Sequence, residues 1–397
     1  MNKNFFVILG IVFFFISRIY ILKFPPPFYS DVFHDYRRYA EMWASGITPY
    51  FKHLYEYPPA TIPLLYFPEI LNLRNIGHYY QNYRFQIFVL DAVIFIFILQ
   101  ALLKLKTKPT IKYLSLGFYL IAPMIAKDFF YDGIDWMFIG SLALALIFYS
   151  RRLIFWLFFW LSVNIKLLTA PLAPVFLWFK TNSLKQEIKT CALAFIIIWG
   201  LPLAIFRSSL SVMLFFNQVR GIKYAAFPSF IVETINDFTK TETRLNQPPD
   251  FQLQGPVSDI ANKVVGIIFP LSIALVLAYG LWKVIKHRQQ TYFYTFGIKI
   301  SLIYIFTIFF TAKIFSQPFH LWYIPLITLF PFKSIKRQLT FFIPAFILLI
   351  VDTTPWIKPP EALMIISPLP LKFFSYLFLR YVPMGSLLYS SFKLPNK

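Results

Sequence analysis

Cysteine is nearly absent, with Cys191 alone among 397 residues. An internal disulfide and a cysteine-based zinc cluster are thereby excluded. Acid is scarce as well: 17 Asp and Glu stand against 38 Lys and Arg, a formal charge of +21. In a soluble chain that balance would suggest nucleic acid. Here the basic residues fall in short loops between apolar runs, so membrane topology accounts for them and no nucleic-acid partner is expected. Also missing are the alternating ten-residue strands of an outer-membrane barrel, internal repeats, low-complexity tracts and any soluble domain boundary.

What is abundant is apolar surface, 58% hydrophobic and 21% aromatic by residue. That is too much for water to solvate, so lipid must do it. The chain therefore reads as all-α and polytopic, one integral membrane domain over 1–397. About twelve transmembrane helices are predicted, near 5–22, 84–104, 111–126, 133–149, 152–165, 167–179, 189–206, 262–282, 298–312, 320–332, 338–352 and 363–390. The shorter ones must tilt, pair or re-enter, because a helix needs about 20 residues to cross. Lys23-Phe24-Pro25-Pro26-Pro27 stands where a signal peptide would carry small cleavage-site residues, so the first run reads as a retained span. Arg18, near its outer end, is expected to snorkel to the headgroups.

With the N-terminus in the cytoplasm, the inner loops 104–112, 151–152, 180–189, 283–299 and 333–337 are all short and basic, while 15 of the 17 acids face out. This satisfies the positive-inside rule, which itself counts Lys and Arg. Two long loops, 24–83 and 207–261, then lie outside, and work on that side is expected: the outer face of a plasma membrane, or the lumen of the endoplasmic reticulum in a eukaryote. Thr61 to Leu73 in the first loop is too short to span and is expected to lie along the interface as a helix. Gln247-Pro248-Pro249-Asp250 marks an irregular tip in the second.

The segment Tyr29–Pro59 crowds four acids, two arginines, two histidines and six tyrosines into one stretch of the first loop. Asp31 follows Ser30 just after the triple proline, which would hold the chain extended as it leaves the membrane. A carboxylate at headgroup depth suits removal of a proton from a sugar hydroxyl; a solvated acid or a helix cap is the plainer reading. On a helix, Asp31, His34 and Asp35 share a face and offer hard donors to a divalent cation, but no fourth ligand is nominated and no metal or other cofactor is expected. Arg37 and Arg38 are suited to gripping phosphate or to pairing with Glu41. Tyr57 offers a flat face for a sugar ring. Lys127–Asp135 reads as a hydrated outer turn that also has residues for substrate positioning. Lys166 sits where two spans meet, and Lys313, Gln317 and His320 form a similar cluster further on; ionisable groups so near hydrocarbon are candidates to hold a lipid phosphate. Asp91, inside a span, requires a partner that the sequence does not name.

Three stretches resemble the class C glycosyltransferases, multi-spanning enzymes that take sugars from polyprenyl-phosphate carriers. They are SDVFHDYRRYAEMWASGITPYFKHLYEYPPATIPLLYFP, the region from Tyr131 through the lysine-bearing span at Lys166 to Phe179, and KIFSQPFHLWYIPLITLFP. The likeness is to the mannosyltransferases that begin glycosylphosphatidylinositol anchors and to bacterial polyprenol-phosphate-mannose-dependent mannosyltransferases. It implies an inverting transfer from a polyprenyl-phosphate sugar to a glycan or lipid acceptor, with Asp31 activating the acceptor hydroxyl. One departure stands: the anchor enzymes carry two acids one residue apart, whereas here Val32 and Phe33 follow Asp31 and the next acid is Asp35. A sugar or lipid transporter is the alternative, on the strength of isolated charges at Asp91 and Lys166.

Overall fold

The computed structural model describes residues 3–25, 30–180, 183–223, 225–245, 252–287, 293–353 and 377–395. The expectations placed on Pro26 and Pro27, on the tip Gln247–Asp250 and on most of the last span, 363–390, lie outside them. The described chain is helical apart from two three-residue strands, Thr243–Leu245 and Gln252–Gln254, paired antiparallel. Among the described residues, five helices are long and apolar enough to cross a membrane: Lys3–Lys23, Tyr79–Lys104, Leu184–Phe215, Pro256–Lys286 and Phe293–Thr311. Asp135–Ile147, Arg152–Ile165 and Leu167–Phe179 are apolar but shorter.

Within the one membrane domain expected from the sequence, two compact units are distinguishable, 1–219 with 324–331, and 220–323 with 332–397. The first unit is built on α1 (Lys3–Lys23), α2 (Arg37–Ala44), α3 (Thr61–Leu73), α4 (Tyr79–Lys104), α5 (Pro109–Ile125), α6 (Asp135–Ile147), α7 (Arg152–Ile165), α8 (Ala173–Lys180), α9 (Leu184–Phe206) and α10 (Ser211–Val219). Here α6 packs on α4 and α7, α7 on α9, α1 on α5, α3 on α4 and α2, and the short helix Ile324–Leu329 against α5. Pro109 opens α5 at a position where its missing N–H costs nothing. Asn75 and Gly77, both at positive φ, turn the chain between α3 and α4, and the Gln81 side chain accepts the His78 N–H at 3.3 Å to start α4.

Burial separates two kinds of helix. α6 is buried on every side, from Asp135 to Leu146. α9 and α4 instead keep outward rows such as Ile196, Ile197 and Leu201, or Phe85, Val89 and Val93, all exposed. Rows of that kind are the surface lipid would cover.

The second unit contains α11 (Phe227–Thr239), the two strands, α12 (Pro256–His287), α13 (Phe293–Thr311), α14 (Ile335–Thr353) and α15 (Val382–Phe392). α13 is its buried core element and packs on α11, α12 and α15, while α14 packs on α15.

Arg18 does not snorkel. It is wholly buried and donates from Nε to Asp91 Oδ2 at 2.8 Å. Asp91 also accepts from Tyr119 (3.0 Å), Tyr131 (2.8 Å) and Trp136 (2.9 Å). This is the partner that the sequence left unnamed. A charge inside hydrocarbon-facing helices is tolerated when paired and hydrogen-bonded, and here one carboxylate ties α1, α4, α5 and α6 together.

Candidate functional site

Asp31 stands at the start of a single π-turn, Val32–Tyr36, which runs directly into α2. Its side chain makes no cap hydrogen bond, so the plain capping role is not the one it plays. Asp31 is exposed, while Val32 and Tyr36 on either side of the turn are buried. The π-turn spaces residues five apart rather than four. Among the described residues, no group of three or more His, Cys, Asp or Glu gathers as a metal site would require.

Arg37 pairs with Glu41 at 2.8 Å and Arg38 with Asp35 at 3.2 Å, both on the exposed side of this helix. Tyr57 meets the Tyr36 ring edge-on at 5.8 Å, and Tyr36 meets Tyr83 at 5.6 Å. Burial raises the Tyr36 and Tyr57 hydroxyls well above the ordinary tyrosine range, and the charge of Asp31 adds to both. The carboxylate therefore lies within electrostatic reach of this tyrosine cluster.

The first loop is fastened at Ala60 to the lysine-bearing end of α7. The Ala60 N–H donates to Asn164 Oδ1 at 3.0 Å, and Asn164 Nδ2 donates to the Ile198 carbonyl at 3.0 Å. α7 stops at Ile165, and Lys166 takes extended backbone before a 3₁₀ turn carrying Pro171. The Lys166 ammonium donates to Asp135 Oδ1 at 2.6 Å, joining α7 to the start of α6.

The turn between α5 and α6 is not hydrated, against expectation. From Phe129 through Asp135 every residue is buried, because Phe129, Phe130, Tyr131 and Ile134 turn into the helices around them. Asp132 goes in with them, 3% exposed. Its carboxylate lies 3.2 Å from Arg84 Nε, off the hydrogen-bond axis, and neither of its oxygens has a hydrogen-bond partner. Burial pushes its pKa up to about 7; the Arg84 guanidinium opposes this, and Asp128 and Asp31 reinforce it. Asp132 and Asp135 lie in the turn whose residues the sequence offers for substrate positioning, with neither singled out there, and Arg84 carries no role in that reading. The only signal was the acidic turn itself, which composition alone reads as solvated.

Asp31, Tyr57 and Lys166 thus belong to one polar region of the first unit, with Asp132, Asp135 and Arg84 added. Lys313, Gln317 and His320 belong to the second unit. The Lys313 ammonium donates to the Arg220 carbonyl, and burial together with the Arg220 charge lowers its pKa. The Lys223 ammonium reaches Ser316 Oγ at 2.9 Å, one residue before Gln317 opens a 3₁₀ turn. His320 is fully buried and bonded to Asp352, whose same oxygen lies 3.1 Å from Arg380 Nε. Asp352 and Arg380 are partners that the sequence did not suggest.

No family model, no curated protein and no solved structure matches this chain.

Proposed function

We propose that the protein is an inverting glycosyltransferase that moves a sugar, most simply mannose, from a polyprenyl-phosphate donor to a glycan or lipid acceptor at the membrane surface. The observation that carries this reading is an exposed carboxylate, Asp31, set beside buried tyrosines and the ion pairs Lys166–Asp135 and Arg84–Asp132, together with the three motif-like stretches. The topology that goes with it has about twelve spans, the N-terminus in the cytoplasm and both long loops outside.

In the step proposed, the acceptor hydroxyl loses its proton to Asp31 as its oxygen bonds to the sugar C1. The bond from C1 to the carrier phosphate breaks, and its electron pair leaves on the phosphate. A phosphate needs no strong acid to depart, so cations suffice. Lys166, Arg37 and Arg38 are the candidates to receive it, with Tyr57 as a sugar platform and Asp35 as a polar contact; Lys313, Gln317 and His320, which the sequence reading added to these, belong to the second unit. The transporter alternative drew on isolated charges at Asp91 and Lys166. Both carry ion-pair partners, Arg18 and Asp135, an arrangement that either kind of protein uses.

The test is transfer of labelled mannose from polyprenyl-phosphate mannose to a panel of acceptors by the protein in nanodiscs. Asp31→Asn is expected to lower turnover by about 10²–10⁴-fold, the range of a lost general base. Full activity in that variant removes Asp31 from the mechanism, and sugar flux without a covalent product favours the transporter.

A further inference from the structure

The second unit sorts its charge by end. Tyr279, near the close of α12, meets Phe392 at the close of α15 with ring centroids 5.4 Å apart. The Lys299 ammonium, early in α13, donates to the Leu394 carbonyl just past α15 at 2.7 Å. α14 packs on α15, and Asp352 in its last turn lies 3.1 Å from Arg380 ahead of α15, so the first turn of α14 points to the end where α15 closes. Lys283, Lys286, Lys299, Lys336, Arg337 and Lys393 are thereby set toward one end of the unit. The sequence has no Asp or Glu between Asp259 and Asp352 and none after Glu361. Asp259 and Asp352 themselves stand at the far ends of α12 and α14, which leaves this end a field of one sign.

Within that field, α12 offers both parts of an amphiphile's surface. Ile267, Leu271, Leu275, Trp282 and Ile285 are all exposed, and their spacing places them in one row of the helix. The row ends in cations: Lys283 Nζ lies 4.6 Å and Lys286 Nζ 5.4 Å from the centroid of the Trp282 ring. Two ammoniums drawn to one indole repel each other, and an anion seated between them relieves that repulsion. An exposed tryptophan among lysines is also what a helix carries at headgroup depth.

We propose that this end of the second unit holds the headgroup of an anionic phospholipid. Lys283 and Lys286 grip its phosphate at Trp282, Lys393 adds charge from the neighbouring helix end, and its acyl chains lie along the exposed row of α12. A free phosphate would use the lysines and not the row, whereas a lipid uses both. The site stands whether or not the protein transfers sugar.

Lipid adducts on the full chain in a neutral detergent, counted by native mass spectrometry, test it. Dioleoylphosphatidylglycerol is expected to bind about tenfold or more tightly than dioleoylphosphatidylcholine. Lys283→Gln with Lys286→Gln is expected to weaken phosphatidylglycerol about 25-fold, about fivefold for each lysine, while Lys283→Arg with Lys286→Arg keeps the binding and separates charge from folding. Lys106→Gln with Lys108→Gln, both exposed in the first unit, removes the same charge and is expected to leave binding unchanged. Equal affinity of wild type for the two lipids overturns the proposal, as does a Lys283 and Lys286 glutamine variant that binds like wild type. A Lys106 and Lys108 variant that loses as much overturns it too, since only a diffuse field would then be at work. Displacement of phosphatidylglycerol by millimolar inorganic phosphate makes this a free-phosphate site, and preferential binding of a polyglutamate peptide makes it a protein-docking surface; either result removes the lipid.

Discussion

A carboxylate is only as basic, or as stabilising, as its neighbours make it, and Asp91, Asp132 and Asp31 are three cases in one unit. Asp132 carries a pH signature that does not depend on activity. Its folded pKa, about 7, lies above the unfolded carboxylate value, so the folded state holds the proton more tightly. The resulting stability is fully present below about pH 4 and is lost as pH rises through about 7, amounting to about 4 kcal/mol at full ionisation. The apparent melting temperature of wild type should therefore fall between about pH 4.5 and 7.5, and that slope should be absent in Asp132→Asn. Parallel curves for the two proteins would show that Asp132 titrates like an ordinary surface acid. Arg18 poses the opposite case. Replacing it with Met leaves Asp91 charged and buried, and is expected to cost about 3–5 kcal/mol, read as a drop in melting temperature in detergent.

At the scale of elements, the fold is held by polar clamps between greasy helices. Lipid tails are as apolar as leucine, so helix association in a bilayer relies on packing and on hydrogen bonds rather than on expulsion of water. The clamp most relevant to function is Asn164, which fastens the first loop at Ala60 to α7 and α7 to α9. Asn164→Leu removes both side-chain bonds, taking the Asn164 donor from the Ile198 carbonyl and leaving the Ala60 N–H with its backbone partner alone. A cost of about 1–3 kcal/mol follows, with the Tyr57–Ala60 segment more readily cut in limited proteolysis. Unchanged proteolysis would mean that the remaining contact, from Ala60 N–H to the Asn164 carbonyl at 3.2 Å, suffices.

For the whole molecule, orientation is the property on which the proposed chemistry depends, and the near absence of cysteine makes it accessible to measurement. Cys191 is buried, so a Cys191→Ala background should be clean. Ser45 and Lys106 are both exposed. A cysteine at 45 is expected to react with an impermeant maleimide applied to intact cells, and one at 106 only after permeabilisation. The reverse result would put the first loop in the cytoplasm and remove the proposed donor from its reach.

Much of the architecture follows from one-dimensional information. The length of an apolar run sets whether a helix crosses, and Lys3–Lys23, Tyr79–Lys104 and Thr61–Leu73 stand close to where composition and hydropathy predict them. That Asp31, Tyr57 and Lys166 are polar residues among apolar ones was also visible. Their partners were not. Arg18 and Asp91 are 73 residues apart, and Lys166 and Asp135 are 31 apart. α6 is apolar on every face, so periodicity could not say which way its neighbours turn. The sequence by itself determined that the chain is a lipid-solvated bundle of helices, because solvation depends on composition. Which charges meet, and that Asp132 is buried while Asp31 is not, was decided only in three dimensions, because a polar group's environment is made by the side chains folded around it.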